Sequence, residues 1–408
     1  MAGGAQWPTG HAAQCAPPNP SRPPVRRPPL SRPISIPDHM LPADGRFGSG
    51  PSKVREDQVG ALARQGRNLL GTSHRQAPIK DMVGRIRTGL AEFLQAPDGY
   101  EILLGLGGAT TFWDAAAFGL VQEKAQHATF GEFGAKFASA TNKAPFLAPS
   151  TIHSSEPGTR AEVVAEDGVD VYAWPHNETS TGVMAPVKRP DGVDRAQVGT
   201  NGALILVDAT SAAGGAAVDL SETDVYYFSP QKNFASDGGL WLGAFSPAAI
   251  ERIEQIGASD RWIPESLALT AAVENSRKNQ TLNTPGLAGL VMLEDQVRWL
   301  NEQGGMAWAA ARTKQSSDLV YAWAEASEFA TPFVARPEDR STVVATVDFD
   351  DAVDAAAIAA TLRAHGVVDV EPYRKLGRNQ LRIATFTAVE PDDVSALLAC
   401  VDLIVEQL

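Results

Sequence analysis

Hydrophobic positions along the chain follow two different patterns. Apolar residues recur every three or four positions over 52–70 and 81–95, which predicts amphipathic helices. Short runs at 101–105, 169–174, 203–208, 224–228 and 239–244 are apolar almost throughout. Several are continuous rather than alternating, the mark of strands in a parallel sheet covered on both faces. The Ala-rich stretch 112–122 reads as the helix that follows the first strand. Strand and helix in alternation predict an α/β layered domain. Beyond about residue 285 the pattern changes. Helical stretches at 287–301 and 306–326 lead to an alternating strand at 342–349 and a helix at 354–365. Short strands near 367–370 and 381–384 and a closing helix at 392–408 complete the chain. This succession predicts a small α+β domain, so the expected division is 38–285 and 286–408.

Composition changes the picture at the N-terminus. The first 37 residues hold 10 of the 28 prolines, four arginines and no acidic residue. Such a stretch cannot bury a core and is expected to be a polyproline-like or disordered arm. It lacks the apolar segment of a secretory signal, and its prolines spoil the amphipathic helix of a transit peptide. Its deletion is expected to leave activity unchanged. Over all 408 residues, 44% are hydrophobic and 20% charged, ordinary globular usage for a chain of two domains. No run approaches the ~20 apolar residues of a membrane span, so no membrane partner is expected. A net charge of −13 argues against nucleic acid. Two cysteines, Cys15 and Cys400, exclude a disulfide framework and a four-thiolate zinc site. A reducing cytoplasm fits, and no metal is expected.

The strongest local signal is the segment 229–234 (SPQKNF), directly after the apolar run 225–228. Most other lysines, such as Lys124, Lys188 and Lys314, sit in polar stretches. Lys232 instead follows a buried strand and precedes Gly238 and Gly239, which predicts an ammonium in a cleft. A desolvated lysine loses its charge readily and becomes a nucleophile toward aldehydes. The competing reading is a surface lysine in a turn. Asp208 shifts the balance, because it closes the run 204–208 one strand earlier. A carboxylate ending a buried strand needs a cation or hydrogen-bond donors. A lysine able to form a Schiff base, with an acid able to pair with a pyridinium nitrogen, is what pyridoxal phosphate (PLP) chemistry requires. The turn 106–111 (LGGATT) between strand and helix could offer N–H groups to a phosphate. It matches neither GxxxxGKS/T nor GxGxxG, so a nucleotide has no support.

Six segments carry a resemblance: 44–55 (DGRFGSGPSKVR), 71–78 (GTSHRQAP), 176–182 (HNETSTG), 229–239 (SPQKNFASDGG), 275–285 (NSRKNQTLNTP) and 371–382 (EPYRKLGRNQLR). In them the chain from about residue 41 to 408 resembles the phosphoserine aminotransferases of actinobacterial type, which are class-V aminotransferases and PLP enzymes of fold type I. The resemblance implies a large domain with a mostly parallel seven-stranded sheet and a small C-terminal α+β domain. It implies PLP on Lys232, with Asp208 holding the pyridine nitrogen protonated. Ala109 and Thr110 match the family's phosphate-binding pair, and Gln231 and Thr179 match positions that contact the cofactor's phosphate and ring oxygen. Phe133 sits where the family stacks an aromatic ring, with Trp113 as the alternative. Asn283 and Thr284 match residues that reach the cofactor phosphate from the other subunit, so a homodimer with shared active sites is implied. Arg382 matches the arginine that grips the substrate α-carboxylate. His74 and Arg75 match the pair serving the distal anion, with either Arg374 or Arg378, and Ser49 and Arg46 are expected to help close the site.

The implied reaction is ping-pong transamination from L-glutamate to 3-phosphooxypyruvate, giving 2-oxoglutarate and O-phospho-L-serine for serine biosynthesis. A second role in pyridoxine biosynthesis, on a phosphorylated four-carbon hydroxy-oxo acid, is weaker here. Cysteine desulfurase chemistry lacks its cysteine: Cys15 lies in the arm and Cys400 on the apolar face of the last helix. A serine–glyoxylate type transaminase would not need the extra arginines. A PLP-free scaffold docking through the arm is opposed by Lys232 and Asp208.

Overall fold

The computed structural model describes residues 34–199 and 202–408, and residues 36–408 form one compact unit. Most of the Pro-rich arm lies outside the described residues. Two helices, α1 (Glu56–Leu69) and α2 (Ala77–Phe93), precede β1 (Glu101–Gly107), which runs into α3 (Ala109–Gly119). Then come β2 (Ala125–Thr129), α4 (Glu132–Lys143), β3 (Thr151–Ser154) and β4 (Val171–Pro175). A short hairpin of β5 (Asn177–Glu178) and β6 (Val183–Met184) leads to β7 (Leu204–Asp208), β8 (Val225–Phe228) and β9 (Gly239–Phe245). Helices α5 (Pro247–Gly257), α6 (Leu269–Arg277), α7 (Leu287–Gln303) and α8 (Gly305–Ala326) follow. The C-terminal part holds β10 (Ala330–Pro332), β11 (Val344–Phe349), α9 (Ala355–Ala364), β12 (Gln380–Ala384) and α10 (Pro391–Val405).

Seven strands form one sheet in the order β1-β9-β8-β7-β4-β2-β3, and only β9 runs against its neighbours. The crossover strands are buried on both faces. In β7, Ile205 and Val207 enter one apolar cluster while Leu204 and Leu206 enter the other. Period-two alternation therefore persists in the structure although both faces are dry. Tyr226 and Tyr227 of β8 likewise point to opposite faces, a separation that matters at the site. The C-terminal domain carries a three-stranded antiparallel sheet, β10-β11-β12, with α9 and α10. Among the described residues no helix is long and apolar enough to cross a membrane.

Several elements escape the hydrophobic pattern. Strand β2 reads Ala-Gln-His-Ala-Thr yet is buried at every position. Its polar groups find partners inside: Gln126 donates to Glu166 at 2.8 Å, and His127 Nε2 meets Thr141 Oγ1 at 2.8 Å. Helix α4, edge strand β3 and helix α5 are also absent from the sequence reading. The segment 367–370 is no sheet strand; Val368 makes only an isolated bridge to Arg46, with its N–H on the Gly45 carbonyl at 2.8 Å. Helix α3 begins at Ala109 rather than at 112, so Ala109 and Thr110 belong to its first turn. That shift moves both residues from a loop to a helix N-terminus.

Candidate active site

The carboxyl ends of β7 and β8 deliver the two strongest candidates side by side. Strands β7 and β8 are parallel neighbours, with Asp208 in register with Tyr227, and Lys232 lies four residues beyond β8. Asp208 Oδ2 accepts the Trp113 indole N–H at 3.1 Å and the Tyr227 hydroxyl at 3.2 Å, while Oδ1 accepts the Thr210 N–H at 2.9 Å. Those donors fix the carboxylate in place on the cavity wall. Trp113, the alternative stacking ring, therefore serves Asp208 directly.

Lys232 is 7% exposed, and its Nζ donates to Thr179 Oγ1 at 2.7 Å. Burial, with the Arg382 guanidinium second, pulls its ammonium down to about 7, against the opposing pull of Asp208 and Glu178. A large fraction is thus the neutral amine at neutral pH, the form that attacks a carbonyl. Its backbone is fixed from the opening motif: Ser52 Oγ donates to the Lys232 carbonyl at 2.5 Å, and the Ser52 N–H to the Gln231 carbonyl at 2.9 Å. Asn233 adds a third tether, donating to the Ser211 carbonyl at 2.7 Å.

A cavity of about 340 Å³ opens between these groups, lined among others by Ala109, Thr110, Phe133, Gln231, Thr210 and Asn177. Gly108, with φ +122°, turns the chain from β1 into α3, a conformation that L side chains rarely adopt. Among the described residues no side chain caps α3, and its first-turn residues Ala109 and Thr110, whose N–H groups have no partner within the helix, line one end of the cavity. Thr210 Oγ1, Gln231 Oε1 and Asn177 Oδ1 are buried without a partner on the same walls. Unsatisfied buried polar atoms clustered in one cavity are the signature of a polar ligand site. The cavity thus offers a neutral amine, a fixed carboxylate, an aromatic wall and an anion-accepting helix end. A flat heteroaromatic aldehyde with a protonatable ring nitrogen and a phosphate fits each in turn.

The arginines divide. Arg382, on β12, donates to the Thr179 carbonyl at 3.2 Å, its guanidinium lies 5.6 Å from the Tyr373 ring centroid, and its Nε is buried without a partner. Arg374 is exposed, and its side chain has no ion pair or hydrogen bond among the described residues. Arg378 is committed elsewhere, to the Asp348 carboxylate and over the Phe333 ring at 4.5 Å. Arg46 is likewise held by Asp44, at 2.5 Å, with half its side chain exposed. Ser49 is 5% exposed and its hydroxyl has no partner. His74, Arg75, Asn283 and Thr284 form their own cluster outside the walls of this cavity. His74 Nδ1 meets Thr284 Oγ1 at 3.2 Å, and Arg75 donates to Gln280 at 2.8 Å.

Sequence reasoning missed the residues that hold the candidates in place. Tyr227 lies within an apolar strand, Ser211 carries no distinguishing pattern, and Ser52 lies inside the 44–55 motif without being assigned a role there. Glu178, inside the 176–182 motif, was passed over although its carboxylate interrupts a buried segment.

The family model for aminotransferases of class V matches residues 61–370, and this chain belongs to that family. Within it, the phosphoserine aminotransferase of a Nocardioides species is 58% identical over 92% of this chain and 99% of its own length. Two solved structures share the fold. The phosphoserine aminotransferase of Cytophaga hutchinsonii matches with a TM-score of 0.80 at 21% identity, covering 88% of this chain and 99% of that one. The PLP-bound phosphoserine aminotransferase of Trichomonas vaginalis matches at 0.75 and 19% identity, covering 88% and 99%.

Proposed function

We propose that this chain is a PLP-dependent phosphoserine aminotransferase, moving the amino group of L-glutamate onto 3-phosphooxypyruvate in L-serine biosynthesis. The observation that carries it is the pairing of a desolvated Lys232 with a donor-locked Asp208 across a cavity floored by an uncapped helix. PLP, when bound, supplies an electron sink that lets the amino acid's Cα–H bond ionise. The protein supplies the rest. The α3 N-terminus with Ala109 and Thr110 would hold the phosphate, helped by Gln231, and Asp208 would pair with the ring nitrogen. Phe133 would cover the ring and Thr179 would fix its orientation. Lys232 Nζ would accept the proton from the substrate's Cα, as a base whose charge is readily shed.

Arg382 grips the substrate α-carboxylate, and its unpartnered Nε leaves it free to do so bidentately. Arg374 takes the distal anion in preference to Arg378, because Asp348 already neutralises Arg378. Ser49 stands next to the wall residue Gly50 and would help close the site, while Arg46 acts only after releasing Asp44. In a homodimer, His74 and Arg75 of a second copy complete the distal pocket, and Asn283 and Thr284 of that copy reach the cofactor phosphate. Their clustering away from this chain's own cavity supports that reading. A cytoplasmic setting and a lesser activity in pyridoxine biosynthesis belong to the same proposal.

The test is glutamate-dependent amination of 3-phosphooxypyruvate by the purified protein, with pyruvate as the unphosphorylated control. The proposal expects turnover that depends on the phosphate. Equal turnover of both acids would keep a transaminase and reject the phosphorylated substrate.

A further inference from the structure

Glu178 has no part in the roles above, yet it is the most enclosed charge beside the cavity, with no solvent exposure. Its Oε2 accepts the backbone N–H groups of Phe133 and Gly134, each at 3.0 Å. Its Oε1 accepts the Ser180 N–H at 3.1 Å and the Ser180 hydroxyl at 2.7 Å. Three of these partners are backbone N–H groups, which can only donate. These donors favour its charged form, while burial, the larger influence, pushes its carboxyl upward.

Its neighbours in space are the working parts of the site. Phe133, whose N–H it holds, has its ring centroid 5.3 Å from Lys232 Nζ. Thr179, the next residue, accepts Lys232 Nζ through Oγ1 at 2.7 Å and Arg382 Nη1 through its carbonyl at 3.2 Å. The Phe133 ring also packs on Tyr373 at 6.0 Å, and Tyr373 lies beneath Arg382. One dipeptide thus reaches the aromatic wall, the lysine and the arginine. A role limited to capping α4 would account for the bonds to Phe133 and Gly134 but not for the links through Thr179 to Lys232 and Arg382.

We infer that Glu178 is a positioning residue of this site: its carboxylate sets Phe133 over Lys232 and, through Thr179, keeps Lys232 and Arg382 in register, while its charge offsets the two cations. The inference rests on the transaminase reading. Three charges face Lys232: Arg382 lowers its proton affinity, and Asp208 and Glu178 raise it. Removing the charge at Glu178 must therefore make the lysine nitrogen lose its proton at lower pH.

The experiment compares wild-type and Glu178→Gln protein, both loaded with PLP, by pH titration of the cofactor's visible band and by steady-state kinetics. Gln keeps the length and one acceptor oxygen but not the charge. The band's midpoint should fall by roughly one pH unit. KM for both glutamate and the oxo acid should rise about ten-fold as Arg382 loosens, with a much smaller change in kcat. Should the Gln variant not fold, Ser180→Ala, which removes one donor and spares the backbone bonds, should move midpoint and KM in the same directions by less. An unchanged midpoint and KM in the variant that folds would overturn the inference and leave Glu178 a helix cap. A wild-type protein with no visible band after loading would instead overturn the transaminase reading, and the inference with it.

Discussion

Two helices present their N-termini to the same cavity, and the chain treats them oppositely. At α4 the first-turn amides of Phe133 and Gly134 are consumed by the Glu178 carboxylate, an anion that the chain carries itself. At α3 no side chain among the described residues caps the helix, and its first turn lines the cavity. The partial positive charge at a helix start favours an anion in both cases. Filling it internally makes a rigid wall, and leaving it open makes a receptor. The contrast shows why an anion-binding helix cannot be recognised from a glycine turn alone. Gly108 and Gly131 precede the two helices alike, and only the presence of Glu178 tells them apart.

The comparison breaks most severely if α3 is given an anion of its own. Ala109→Asp should cost PLP affinity about 100-fold or more, since the carboxylate would occupy and repel the phosphate position; equilibrium titration followed by visible absorbance measures it. Next in size is the arginine pair. Arg374→Ala should raise KM for the phosphorylated oxo acid by about 10- to 100-fold, and Arg378→Ala by far less, because Asp348 already engages Arg378. Steady-state kinetics on both variants separates them.

The α4 wall can be perturbed without touching a charge. A Cβ at Gly131 would lie 2.4 Å from Glu178 Cγ and 2.5 Å from Ser180 Oγ. Gly131→Ala should therefore destabilise the protein by about 1–3 kcal/mol in urea unfolding. The smallest effect is on pH dependence. With Lys232 held near 7, its neutral fraction grows as pH rises through that value and saturates above it. The rate of PLP capture by cofactor-free protein should rise over the same window. An unperturbed lysine would still be gaining near pH 10.

Much of this arrangement was legible in the chain. Continuous apolar runs identified β7 and β8, and their terminal Asp208 and the following Lys232 could be placed at one sheet edge. Those signals come from local desolvation, which the sequence records directly. The rest depends on partners distant in the chain. Strand β2 looks polar because Gln126 and His127 are satisfied by Glu166 and Thr141 only after folding. Helix α5 did carry a signal, with Ser246 accepting the Ala249 N–H and Pro247 in the first turn. The choice between Arg374 and Arg378 turns on Asp348, 30 residues away from Arg378. No pattern in 371–382 encodes that contact.

The central claim is that Lys232 is the residue that captures the cofactor. Borohydride reduction of the PLP-loaded protein, followed by peptide mapping, tests it most directly. The account predicts one pyridoxyl group per chain, on Lys232, and none on the Lys232→Ala variant. A stable label on any other lysine, or none on the wild-type protein, would contradict it.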